Sequence, residues 1–214
     1  MKKLTTGLLV FWLAAFGVSA FGQDDAASAL GRLLGNIDTL SADVQQLLVE
    51  SDGGILEESE ILMRLRQPNG FYWETISPFP ELIVTDGETL WNYQPDLEQV
   101  VIEPWDSSES ELAAQLLAGE TANLDKEYVI ESSGGDTETH TEFSLTPIAS
   151  ESVYAEIRIS FFQKQLDMIR MRSKNGQQTV WQFMNLSMNT PLDPDLFTFE
   201  PPAEVEIINN NYVP

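Results

Sequence analysis

Side chains able to do covalent or metal chemistry are few and scattered in this 214-residue chain. His140 is the single histidine, flanked by Thr139 and Thr141, and there is no cysteine. One imidazole with no thiolate and no HxxE-type spacing cannot build a zinc site. The lack of cysteine also removes a thiol nucleophile and a lipid-modified N-terminus. No GxSxG elbow or phosphate-binding glycine loop occurs. The 34 Asp and Glu residues show no spacing that pairs two carboxylates, and a solvated surface is their default. A two-carboxylate hydrolase therefore has nothing arguing for it.

What the chain has in surplus is apolar. Residues 71–93, FYWETISPFPELIVTDGETLWNY, crowd aromatics into two hairpin-like units. Period two places Phe71 and Trp73 on one face of a strand, with Tyr72 and Glu74 on the other. It likewise pairs Trp91 with Tyr93, and Leu90 with Asn92. After the initiator the methionines are Met63, Met168, Met171, Met184 and Met188, all in segments that read as strands. Unbranched thioethers suit sites that hold variable apolar shapes, although a core of this size can use five of them without a ligand. The chemistry such residues support is non-covalent: enclosure of an apolar guest.

The elements that must position them are mostly strands. Segments 41–50, 58–67, 71–77, 81–86, 89–93 and 97–103 follow one another, with QPNG at 67–70 and TDGE at 85–88 as turn signals. Strands resume at 127–132, 140–147, 153–162, 166–173 and 179–188. The tail LFTFEPPAEVEI reads as a strand-like start ended by Pro201 and Pro202. Short turns between successive strands mean an antiparallel meander. Two helices accompany it. Ala26, Leu30, Leu33, Leu34 and Ile37 mark one face of an amphipathic helix over 25–38. Gly31 and Gly35 weaken it by roughly 1 kcal/mol each, so it is stable only when docked. The second helix, over 108–118, has a capping box at Ser108 and Glu111, an apolar stripe of Leu112, Leu116 and Leu117, and Gly119 as its stop. A large sheet with two short helices to cover its apolar face and surplus aromatics is a plausible apolar cavity.

Residues 1–20 have the form of a secretory signal peptide. Lys2 and Lys3 make a basic start, Gly7 to Gly17 an apolar run too short for a stable span, and Val18-Ser19-Ala20 a cleavage site. Gly22 offers a second site, so the leader could extend to 22. Residues 21–214 then form a single exported domain that stands on its core without disulfides. The 11 Lys and Arg leave a net charge of −23, and loss of the leader removes two more cations. Such a chain repels nucleic acid and anionic membrane surfaces.

The stretch RQPNGFYWET…ELIVTDGETLWNYQPDLEQV closely resembles the LolA family, the periplasmic carriers of outer-membrane lipoproteins. The family's RPNxFxW pattern is matched by Pro68-Asn69-Gly70-Phe71-Tyr72-Trp73. Its ILVSDGxTLWxYxP block is matched from Ile83 to Pro95, and its acidic-Gln pair by Glu98-Gln99. DAASALGRLL at 25–34 looks like the family's first helix, and Phe197-Thr198-Phe199-Glu200-Pro201-Pro202 like its FxFxPP tail.

The resemblance implies a mainly β fold: an unclosed antiparallel β-barrel with an α-helical lid over an apolar cavity. It implies a monomeric periplasmic carrier without catalysis or cofactor. The inner-membrane transporter LolCDE would hand over a triacylated lipoprotein, and the outer-membrane receptor LolB would accept it. Phe71 matches the family's cavity phenylalanine, with Trp73 beside it. Leu34 and Leu40 match apolar lid and mouth positions. Met63, Leu112, Leu116 and Leu117 complete the expected acyl-chain site, the last three on the second lid helix. Where the family often has a latch arginine bonding lid carbonyls, this chain has Gln67. An amide can donate there but without charge assistance, and Arg66 points to the opposite face of a regular strand. A looser latch follows. A sensor or carrier of another pathway on the same fold, similar to RseB, is the alternative, although that family adds a second domain.

Overall fold

A computed structural model describes residues 23–105, 124–133 and 139–210 of the chain. The first element is helix α1 (Gln23–Gly35). It buries Ala26, Leu30 and Leu34, and Ile37 just beyond its end is buried with them, which is the three-and-four spacing of one helix face. Six strands follow: β1 (Thr39–Val49), β2 (Ile55–Arg66), β3 (Gly70–Ser77), β4 (Glu81–Thr85), β5 (Thr89–Gln94) and β6 (Gln99–Pro104). After them come the single-turn helix α2 (Leu124–Glu127) and strands β7 (Tyr128–Ser133), β8 (His140–Pro147), β9 (Tyr154–Phe162), β10 (Gln165–Ser173), β11 (Gln178–Met188) and β12 (Glu206–Asn209). The second helix expected over 108–118 lies outside the described residues.

All twelve strands form one sheet in the order β12-β6-β5-β4-β3-β2-β1-β11-β10-β9-β8-β7. Neighbours are antiparallel except for β12, which joins β6 in parallel. The edge strands β12 and β7 do not pair with each other, so the sheet stays open. It is nevertheless strongly bent. β3 and β11 are three strand spacings apart, about 14 Å in a flat sheet, with β2 and β1 between them. Yet the rings of Trp73 and Trp181 meet edge to face with centroids 6.0 Å apart.

Register decides which face is which. Leu40, Ala42 and Val44 of β1 lie opposite Leu65, Met63 and Ile61 of β2, and all six are buried in the main core. Ile130, Phe143, Leu145, Ile157, Ile159, Phe161, Leu166, Ile169, Met171, Trp181 and Phe183 continue that core across β7–β11, and α1 packs into it. This is the inner face.

The outer face of β3–β6 holds a second, smaller apolar layer. Val84 faces Trp91 and Tyr93 faces Val100, and the C-terminal segment packs over them. There the tail corrects the sequence expectation: its start is a 3-10 turn, Pro194–Phe197, capped by the Asp193 side chain, and its strand comes after the prolines. Phe197 is fully buried under the Arg66 guanidinium, 4.5 Å from the ring centroid. A side chain on Gly70 would press on the Phe197 ring at 3.0 Å. Phe199 lies on Tyr93, with centroids 5.3 Å apart.

Candidate functional site

The inner face gathers most of the expected site residues that the structure describes. Leu34 comes from the last turn of α1, Leu40 from β1 and Met63 from β2, and all three are buried to 1% exposure or less. Phe71 and Trp73 of β3 are half-buried against the same core. Their rings stack with centroids 6.0 Å apart and planes 18° apart, as two aromatics two residues apart on one strand face can. Leu112, Leu116 and Leu117 lie outside the described residues.

Cross-strand register extends this surface toward the edge. Trp73, Ile83, Asn92 and Val101 form one row, and Phe71, Thr85, Leu90 and Glu103 the next. The apolar wall is therefore richest between β3 and β11 and becomes mixed toward β6. The side-chain ladder Glu81–Gln94–Gln99, with amides donating over 3.1 and 2.7 Å, closes it with hydrogen bonds. Trp91 and Tyr93 are absent from this wall because the β4–β5 register turns them outward. The methionines divide likewise. Met63 and Met171 are in the core and Met188 packs on it, whereas Met184 is 44% exposed and Met168 shares the outer face with Ser160.

Two features, one at the α1–β1 connection and one on the inner face, were not foreseen from the sequence. Asn189, at the end of β11 with φ 58°, ties the α1–β1 connection to the sheet. Its Oδ1 accepts from Asp38 N–H at 2.8 Å and its Nδ2 donates to the Asn36 carbonyl at 2.8 Å. An Asn in left-handed geometry is the only local signal. Trp181 is the second feature. Its indole N–H donates to Gln46 Oε1 at 2.6 Å, which fixes the ring against Trp73 and gives its one polar atom a partner.

The Gln67 position is next to the α1–β1 connection. Its backbone N–H donates to the Asp38 carbonyl at 2.8 Å, so the β2–β3 turn touches the chain that leaves α1. Arg66 is engaged on the outer face with Phe197, as strand alternation requires. The neighbouring β4–β5 turn backs onto the same place: Gly87 has φ +97°, and a side chain there would collide with Asn69.

Among the described residues no cluster of His, Cys, Asp or Glu could hold a metal, and no helix is long and apolar enough to cross a membrane. What the inner face offers among the described residues is an apolar wall whose core takes in the buried side of α1 and Leu124 of α2.

An open, bent, almost wholly antiparallel sheet with a helix packed into its apolar core defines a mainly β half-barrel. The model of the outer membrane lipoprotein carrier protein LolA matches residues 35–200. An outer-membrane lipoprotein carrier protein from Chromohalobacter salexigens is 32% identical over 97% of this chain and 98% of its own. Another from Hahella chejuensis is 33% identical over 91% of each. The chain belongs to the LolA family, a family of carriers and not of enzymes. An uncharacterized conserved protein from Thermus thermophilus shares the fold at 15% identity and a TM-score of 0.55, covering 86% of this chain and 99% of that one.

Proposed function

We propose that this chain is a periplasmic carrier that encloses the acyl chains of lipoproteins. It would take them from the inner-membrane transporter LolCDE and deliver them to LolB at the outer membrane. The leader at 1–20 would direct export of a single carrier domain, 21–214. The observation that carries the reading is the cover of the inner face. A wall that includes Leu40, Met63, Phe71, Trp73 and Phe183 shares one apolar core with Leu30 and Leu34 of α1.

Magnitudes favour such an exchangeable cover. Each buried methylene is worth roughly 0.8 kcal/mol. Three long acyl chains carry on the order of 40, so full burial would far exceed the practical affinity ceiling of about −20 kcal/mol. A carrier must let go. If acyl chains displace Leu30 and Leu34 from the wall, one apolar contact replaces another and the net affinity stays moderate. Leu112, Leu116 and Leu117 are proposed as the second part of this lid, and Gln67 as its latch.

The test is a release assay. Mature protein is added to spheroplasts making a labelled triacylated lipoprotein, and the soluble fraction is examined for a one-to-one complex. Wild type releases the lipoprotein. Phe71→Glu, which puts a charge into the wall, does not, while its thermal unfolding remains cooperative. No complex with a folded wild type in a matched host would sink the proposal.

A further inference from the structure

The outer face of β8–β11 carries three arginines in a chain where acidic residues outnumber basic ones 34 to 11. Arg158 of β9 and Arg170 of β10 are direct cross-strand partners, and Arg172 stands opposite Glu156. The carboxylates are unevenly shared. Arg158 reaches Glu156 at 3.1 Å and Glu142 at 3.3 Å, and Arg172 reaches Glu156 at 3.3 Å. Ser144 also donates to Glu156, at 3.1 Å. Arg170 has no carboxylate among the described residues. Its Nη2 is 3.7 Å from the Met168 sulfur, a weak acceptor, and its buried Nε has no partner. Like charges directly opposite in a sheet destabilise it, and a buried charged donor without an acceptor costs more than a neutral one. Beside this group is a depression of about 210 Å³ lined by Glu156, Arg158, Arg170, Arg172 and Gln178.

We propose that this depression binds a compact phosphate-class oxyanion, held by Arg170 with Arg158 and Arg172 closing on it. Guanidinium forks match phosphate oxygens in pairs. A tetrahedral oxyanion can serve several guanidiniums at once, whereas a carboxylate fills one fork. The net charge of −23 repels extended polyanions such as nucleic acid, so only a small anion gains from this local cationic group. The shared chemistry is a phosphate, whether free or at the head of a phospholipid.

Phosphorus-31 line broadening on the full mature chain gives the affinity for inorganic phosphate in a chloride buffer of constant ionic strength. Thermal unfolding in phosphate against chloride gives a second reading. Wild type broadens the signal saturably and melts higher in phosphate than in chloride. Arg170→Met loses both effects. Glu156→Gln, which frees two further guanidiniums, tightens binding about fivefold. This second variant decides the matter even if Arg170→Met does not fold. Glycerophosphoethanolamine titrated in the same way assigns the source. Comparable binding marks a lipid headgroup, and binding of inorganic phosphate alone marks the free ion. Equal effects of phosphate and chloride, an undiminished response in Arg170→Met, or no gain in Glu156→Gln would overturn the proposal.

Discussion

Phe71 and Trp91 are both aromatic residues in alternating strand runs, yet they end on opposite sides of the sheet. Alternation separates Phe71 from Tyr72 and Trp91 from Asn92, and that much is legible in the sequence. Which of two faces is inner depends on the register between strands, and alternation alone does not carry it from β3 to β5. The aromatic surplus is thus shared: Phe71 and Trp73 turn to the inner apolar wall, and Trp91 and Tyr93 turn to the layer beneath the tail. Gln67 is a clearer case for prediction. Its backbone already touches Asp38, so a longer cationic side chain at this position is within reach of the carbonyls where α1 ends. Charge-assisted hydrogen bonds are about twice as strong as neutral ones. Gln67→Arg should therefore raise the hydrogen-exchange protection of α1 severalfold and slow the uptake of an acyl probe. Unchanged exchange in α1 would show that this position is not a latch.

At the scale of elements, α1 is held by packing more than by propensity. Its buried face was readable from spacing, although its helical span is 23–35 instead of 25–38, because Ile37 joins the core from a turn beyond the helix. The strands from β1 to β11 were readable within a few residues of their ends, since hydrophobic alternation and turn residues agree there. The C-terminal segment was not. Phe197 and Phe199 look like one strand face, but Pro194 and the Asp193 cap start a 3-10 turn, and Glu206–Asn209 finds its partner only in β6, about a hundred residues earlier in the chain. Gly35 in the last turn of α1 has open space around it: an added Cβ meets nothing within 4 Å. Gly35→Ala should therefore stabilise the docked helix by up to about 1 kcal/mol. In a chain of this size that is a rise in Tm of roughly 2–4 °C. If α1 must undock to admit acyl chains, the same variant should take up an acyl probe more slowly. A higher Tm with faster uptake would contradict that mechanism.

Charge acts on the molecule as a whole, and here two effects oppose each other as pH falls. With a net charge of −23, the folded chain repels itself more than the expanded unfolded chain does, so partial protonation of scattered surface carboxylates relieves strain. Glu156 works the other way. Burial alone would push its carboxyl up, but hydrogen bonds from Arg158, Ser144 and Arg172 outweigh that and hold it below the ordinary 4.5. The unfolded chain therefore takes up this proton first. Its contribution to stability is fully present above about 4.5 and is lost as pH falls through the lower folded value. Arg158, raised by the same pair, stays charged throughout. Tm should consequently rise from pH 7 to about pH 5 as repulsion falls, then decline below about 4.5 as the Glu156 contacts are protonated. Added sodium chloride should raise Tm at pH 7 by screening the repulsion. Glu156→Gln should keep the rise and lose part of the decline, because its amide has no proton to bind. Thermal unfolding at pH 7, 5 and 3.5 for both proteins, at fixed ionic strength, separates the two effects. A Tm that climbs steadily to pH 3.5, or a decline of equal depth in both, would remove Glu156 as the residue that sets the acid limit.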